Sequence, residues 1–183
     1  MEKNRLTGYH GTTLSAAESI LSEKRFYISN TNHEWLGEGV YFFEDRRHAI
    51  GWANIQTKKK KETTAAVLAL DLIYEAEEFF DIDIPDNVLI MSRYYEDSIQ
   101  EGMFSNGAPQ FQTPEELKCF VSNLYKEAHP NIKVLAYTFD STQYTGIGFA
   151  IKQRQICVSD DGVIKNIRMS YTALVGKGGY YHG

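Results

Sequence analysis

The amino-acid sequence predicts an α+β fold in one domain spanning residues 1–183, and three observations carry that expectation. Helical periodicity gathers in the earlier part of the chain, strand-like segments gather in its last third, and 43% hydrophobic with 13% aromatic residues are enough to build a core. No internal repeat or Pro/Gly/Ser-rich linker interrupts the chain, and its four prolines are scattered, so no domain boundary is placed.

The elements follow in order. After Gly11-Thr12-Thr13, the residues Leu14, Ala17, Ile20 and Leu21 fall on one helical face, with Ser15 and Glu18 at capping-box spacing. The segment Arg25 to Ser29 is aromatic and β-branched enough for a strand, and Gly37 and Gly39 bracket a tight approach into a second one, Val40-Tyr41-Phe42-Phe43. Asp45 caps a helix carrying Ala49, Trp52 and Ala53, which the basic run Lys58-Lys59-Lys60-Lys61 ends as a solvated loop. Ala65 to Ile73 is apolar almost throughout, as in a buried central strand, whereas 74–112 is mixed and no element is assigned there. Thr113-Pro114-Glu115-Glu116 starts a helix whose expected buried stripe is Leu117, Phe120, Val121 and Leu124. Strands are then expected over Lys133 to Phe139, Ile147 to Ile151 and Gln155 to Val158, followed by an Asp160-Asp161-Gly162 turn and a last strand from Val163 to Met169.

Composition removes several functional classes. With 19 basic and 24 acidic residues and a formal charge of -5, the domain as a whole is not a polyanion-coating module, although local basic patches stay open. Cys119 and Cys157 stand far apart without ligand-spaced histidines, so neither a metal site nor a disulfide framework is read and no metal is expected. The N-terminus lacks the apolar stretch of a signal peptide and no segment reaches the roughly 18 apolar residues of a membrane span, which makes the expected location cytoplasmic.

Three short segments carry the chemistry: Tyr9-His10-Gly11-Thr12, then Gly37-Glu38-Gly39-Val40-Tyr41-Phe42, then Gln155-Ile156-Cys157-Val158. Alone, a His before Gly marks a turn, Gly-x-Gly before an aromatic strand marks a bend, and a Gln opening a strand is solvated. In this order and at this spacing they resemble the ADP-ribosyltransferase superfamily, on the branch with His, Tyr and Glu motifs that includes diphtheria toxin and the poly(ADP-ribose) polymerases. The resemblance covers roughly residues 8 to 54 and 146 to 160, and the run from His33 to Asp45 also looks like a group of small bacterial proteins of this superfamily.

That resemblance implies a split, highly bent antiparallel β-sandwich with flanking helices, its cleft lined by His10, Gly11, Tyr41, Trp52 and Gln155. It implies NAD as co-substrate. His10 would hydrogen-bond a ribose hydroxyl, Gly11 would offer its backbone to the nicotinamide carboxamide, and Thr12 would reach the same amide. Tyr41 and Trp52, eleven positions apart, would sandwich the nicotinamide ring; Trp52 also reads as a core residue beside Ala49 and Ala53, and the two roles are compatible. Arg25 falls in a region resembling the adenosine-facing loop and is a candidate for the NAD phosphates or adenine, against a plain surface arginine.

The third motif departs from the family, because Gln155 stands where a catalytic Glu is expected and no carboxylate lies between Asp140 and Asp160. A neutral amide keeps a hydrogen bond to the ribose but cannot take a proton. Three explanations fit: an acceptor needing little deprotonation, such as a nucleobase nitrogen; a glutamine in place of a native Glu; or NAD or ADP-ribose binding without catalysis. The expected function is mono-ADP-ribosyl transfer to a nucleic-acid or protein acceptor, with His10, Tyr41 and Gln155 as the catalytic set. The role implied is a bacterial toxin or phage-defence effector, with an antitoxin protein as a further partner and no membrane. The alternatives are a non-catalytic NAD-binding module or an NAD glycohydrolase. Phosphate binding by the Gly176-Lys177-Gly178-Gly179 tail is disfavoured, since the P-loop pattern is absent.

Overall fold

In the computed structural model, residues 3–28, 34–105, 107–144 and 150–175 are described. Ser29, His33, residues 147–149 and the Gly176–Gly179 tail lie outside them. Among the described residues seven strands and four α-helices interleave: β1 (Asn4–Thr13), α1 (Leu14–Glu23), β2 (Val40–Phe43), α2 (Arg46–Lys59), β3 (Thr64–Tyr74), β4 (Phe79–Asp81), α3 (Pro85–Gln100), α4 (Pro114–Ala128), β5 (Val134–Tyr144), β6 (Ala150–Val158) and β7 (Ile164–Leu174). The strands form one sheet in the order β4-β5-β6-β2-β1-β3-β7, antiparallel apart from the short β4–β5 pair. The architecture is therefore a mixed sheet with helices, and the expected helix-rich first part gives way to an interleaved order.

Alternation sorts the side chains onto two faces. Ala66, Leu68, Leu70 and Leu72 of β3 join Val40, Phe42, Val134, Ala136, Ile156 and Val158 in a core that α1 covers with Ala17 and Ile20. Residues of opposite parity face the other side and meet two separate packs. Ala65, Val67 and Phe43 pack under Ala49 and Ala53 of α2, while Leu135, Phe139 and Cys157 pack with Met91 of α3 and Tyr125 of α4.

Where the sequence places helix starts, their chemistry is local. Asp45 accepts a hydrogen bond from the Arg47 N–H at 2.8 Å, and Thr113 accepts from Glu116 N–H at 3.2 Å with Pro114 at the first position. The cap of α1 is Thr13 and not the Ser15–Glu18 pair, since Thr13 Oγ1 accepts from Ala16 N–H and the Ser15 hydroxyl donates to Glu62.

Four further expectations are corrected. Residues 25–28 form no strand: the left-handed Lys24 turns the chain, Phe26 enters the core, and Tyr27 and Ile28 stay exposed with no ladder partner among the described residues. Lys58 and Lys59 form the last turn of α2, so the first half of the basic run is helical, while Lys60 is the C-cap, Lys61 turns in the left-handed region and all four lysines are solvated; cations there meet the negative end of the helix dipole. The buried stripe of α4 is Cys119, Ser122 and Tyr125, with Leu117 exposed, because α4 packs on the Trp35 loop and α3 at once. β6 runs unbroken from residue 150 to 158, where two strands were expected. β1, β4 and α3 carried no assignment in the sequence.

Candidate functional site

β1 and β2 run antiparallel but share only the pair Tyr9↔Phe43 among the described residues. β1 continues to pair with β3 through Thr13, and β2 pairs with β6 from Val40 to Phe43, so the two halves of the sheet are joined at one point and part beyond it. In the gap lies a cavity of about 360 Å3, within the range of small-molecule sites. His10, Gly11 and Thr12 form one lip and Gly39, Val40 and Tyr41 the other; Gln153 and Gln155 come from β6, and Trp52, Gln56 and Lys60 from α2.

His10 bridges the gap where backbone pairing stops. Its Nδ1 lies 3.0 Å from the Tyr41 carbonyl oxygen, which only accepts, so Nδ1 carries the proton and Nε2 is left as an acceptor in the neutral ring. The ring rests edge-on against Phe26 and Phe42 at centroid distances of 5.2 and 5.9 Å. Burial pulls its pKa below the ordinary histidine value, opposed by the bond to Tyr41 and assisted by Lys60.

The Tyr41 hydroxyl is already committed, accepting from the Leu36 N–H at 2.9 Å and donating to the Gly37 carbonyl at 2.7 Å. Burial also pushes its pKa far up, so Tyr41 offers an oriented ring and no acid–base chemistry. These two bonds pin the loop at 34–39, which turns at Gly37 with φ +78°. From the other side, α4 holds the loop through Asn123 Oδ1 to the Glu38 N–H at 2.7 Å and Lys126 Nζ to the Glu38 carbonyl at 2.6 Å.

Gly11 is required by packing. A Cβ there would lie 2.0 Å from the Ala49 carbonyl oxygen, so α2 presses its backbone onto β1, aided by the small side chains of Ala49 and Ala53. That contact sets Trp52 over the cavity, where the indole remains 45% exposed and is no core residue. Gln155 pairs with Phe43 across the ladder, and its Nε2 lies 3.5 Å from Gln153 Oε1, so two amides line one wall.

The sequence-derived residues His10, Gly11, Thr12, Tyr41, Trp52 and Gln155 thus line one cavity, and Arg25 does not: it is exposed on the segment after α1 and absent from the lining. Among the described residues the lysine or arginine in the lining is Lys60. Gln56 and Lys60 follow Trp52 at helical spacing of four and eight, which brings all three to one side of α2 and its C-cap. Glu34 supplies the carboxylate of the lining, from a segment whose turn no periodicity announces. A separate hollow of about 300 Å3 beside α3 and α4 is lined by apolar groups such as Trp35, Met91 and Phe139, with Lys118 at its edge. Among the described residues no group of His, Cys, Asp and Glu is placed to hold a metal ion, and no helix is long and apolar enough to cross a membrane.

No protein-family model matches the chain. The chain is similar to the Uncharacterized protein MJ0359 of Methanocaldococcus jannaschii, with 31% identity over 93 residues. That alignment covers 50% of this chain and 44% of the relative, so the chain spans less than half of the length of the protein it matches.

Proposed function

We propose that the protein transfers ADP-ribose from NAD to a macromolecular acceptor. The observation carrying this reading is that three segments far apart in sequence, around His10, Tyr41 and Gln155, meet with Trp52 where β1 and β2 part. The finer fold reading, an ADP-ribosyltransferase-like split antiparallel β-sandwich, draws support from the single joint between the halves β4-β5-β6-β2 and β1-β3-β7.

In this reading the nicotinamide ring lies between Tyr41 and Trp52, the carboxamide meets the backbone of Gly11 and the Thr12 hydroxyl, and His10 Nε2 accepts from a ribose hydroxyl. Lys60 takes the place assigned to Arg25 and faces the NAD phosphates, a cation near anionic oxygens. Gln155 bonds the 2'-hydroxyl of the nicotinamide ribose. The glycosidic bond breaks with its electron pair going to the pyridinium nitrogen, and positive charge grows at the anomeric carbon. Gln155 adds no negative charge to offset it, so positioning supplies most of the acceleration.

Incubation with NAD labelled in its adenylate portion, with separate DNA, RNA and protein pools, tests the proposal. Label in a pool supports it. Nicotinamide release without labelled macromolecule marks a glycohydrolase instead, and NAD binding without either marks a non-catalytic module. Replacing the ribose-facing amide by Gln155→Ala is expected to lower transfer about 10- to 100-fold, the loss of a hydrogen bond worth about 1.5–3 kcal/mol to a charged transition state. Gln155→Glu is expected to raise NAD hydrolysis, because a carboxylate polarises water where an amide does not.

A further inference from the structure

The cavity wall contributed by α2 continues onto an outer surface of unusual charge. Six of the 19 basic residues lie between 46 and 61 (Arg46, Arg47 and Lys58 to Lys61) and none of the 24 acidic residues does, so in a chain of formal charge -5 the remainder carries -11. The helix is 14 residues long, about 20 Å at 1.5 Å per residue. Its two basic ends differ. Arg47 is paired with Asp45 at 2.5 Å, and Arg46 donates to the Ser170 carbonyl and lies over the Tyr171 ring. Lys58, Lys59, Lys60 and Lys61 are exposed, and among the described residues none of them has an ion-pair partner; the adjacent Glu62 accepts from the Ser15 hydroxyl. Between the ends stand two apolar side chains on the surface, Trp52 at 45% and Ile55 at 55% exposure.

We infer that α2 is the docking track for the acceptor and that this acceptor is a single-stranded nucleic acid, an inference that rests on the transfer reading above. Unpaired lysines at one end of a helix meet backbone phosphates, and the exposed Ile55, with the face of Trp52 turned away from the nicotinamide, offers an apolar surface to a base; a nucleic acid carries a flat ring on every charged unit, which an acidic peptide does not. A duplex keeps its bases stacked and out of reach, whereas an unpaired strand lying on Lys58, Lys59 and Lys61 presents a base at the mouth beside Trp52. The net negative charge of the remainder of the molecule disfavours a polyanion there and so orients it.

Gln155 points the same way. A ring nitrogen that carries no proton attacks the anomeric carbon with its in-plane lone pair, the carbon–nicotinamide bond breaks with its electrons retained by departing neutral nicotinamide, and the positive charge passes to the modified base with no proton to remove. No carboxylate base is needed at Gln155 for that balance, whereas a hydroxyl acceptor needs one.

The test uses the full chain, mixed-sequence 20-mer DNA and RNA strands, their duplexes, and an acidic protein pool. Binding of the labelled strands is followed by fluorescence anisotropy without NAD, and transfer is followed with labelled NAD. Single strands are expected to bind in a salt-dependent manner and to carry the label, with the DNA and RNA arms naming the sugar. The triple variant Lys58→Gln, Lys59→Gln, Lys61→Gln changes only exposed side chains. It is expected to lower strand affinity at least tenfold at 100 mM salt and to flatten the slope of log affinity against log salt by about 2, since each single-strand phosphate contact contributes about 0.7. Its NAD-dependent rise in melting temperature should match that of the parent. Unchanged strand affinity in the variant overturns the inference, as does label entering the protein pool alone. A parent chain that binds strands on this surface but neither binds NAD nor releases nicotinamide overturns the transfer reading, and the acceptor assignment falls with it.

Discussion

His10 illustrates how one side chain does the work of a missing ladder. Beyond Tyr9↔Phe43 the strands separate, and the imidazole replaces a backbone bond by reaching the Tyr41 carbonyl. Burial makes its charged form unfavourable in the folded state, so the folded pKa lies below the ordinary value of about 6.5. Between those two values the unfolded chain binds more protons, so this histidine's contribution to stability is present above pH 6.5 and is lost as pH falls through the folded pKa. The prediction is a melting temperature that drops more steeply below pH 6.5 in the parent than in His10→Gln, measured by calorimetry across pH 8 to 5. The same variant should weaken NAD-induced stabilisation about tenfold in ligand concentration, through loss of the Nε2 acceptor. At this scale the sequence was informative where a residue type is chemically rare in its setting: a histidine before glycine, a glutamine where a carboxylate is expected. Arg25 shows the limit, since a charge marks a residue without saying which way its backbone segment turns.

α2 is positioned by an absence. Gly11 leaves room for the Ala49 carbonyl, and Gly11→Ala brings a methyl group to 2.0 Å from that oxygen. The helix must then lift from β1, with an expected cost of about 2 kcal/mol or more in chemical denaturation and displacement of Trp52 from the cavity, read as reduced tryptophan quenching by NAD. Asp45→Ala tests the start of the same helix. The Arg47 side-chain bond first, together with the Arg47 N–H, holds the carboxyl down at about 2, so the cap is charged at all but the most acid pH; its removal is expected to cost about 1 kcal/mol and a few degrees of melting temperature. Helix starts were legible because caps are made by neighbours in sequence: Asp45 with Arg47, Thr113 with Glu116. β1 was not legible as a strand. Its residues Thr7-Gly8-Tyr9-His10-Gly11 lack apolar alternation, and they are extended because β3 pairs with them along ten residues.

Across the molecule, the sheet divides its labour at one joint. On one face α1, Phe26 and Val163 share a single continuous core, whereas α2 and the α3–α4 pair cover the other face in two separate packs, leaving the cavity at the parting of β1 and β2. A ligand held by both halves opposes their separation. Saturating NAD at about 100 times its dissociation constant is therefore expected to add about 2.7 kcal/mol, seen as a concentration-dependent rise in melting temperature, with a smaller rise for ADP at the same concentration, which keeps the phosphates but lacks the nicotinamide. Residue chemistry, periodicity and caps were readable along the chain because they depend on neighbours within a turn or two: the helix starts at Asp45 and Thr113, the strand Val40–Phe43, the apolar run of β3, and the three motif segments themselves. The convergence of those segments, the exposure of Trp52 and the presence of Lys60 but not Arg25 in the cavity lining were decided by contacts between residues tens of positions apart. Such contacts follow from sheet pairing and helix packing, whose energy depends on shapes that meet only once the chain has folded.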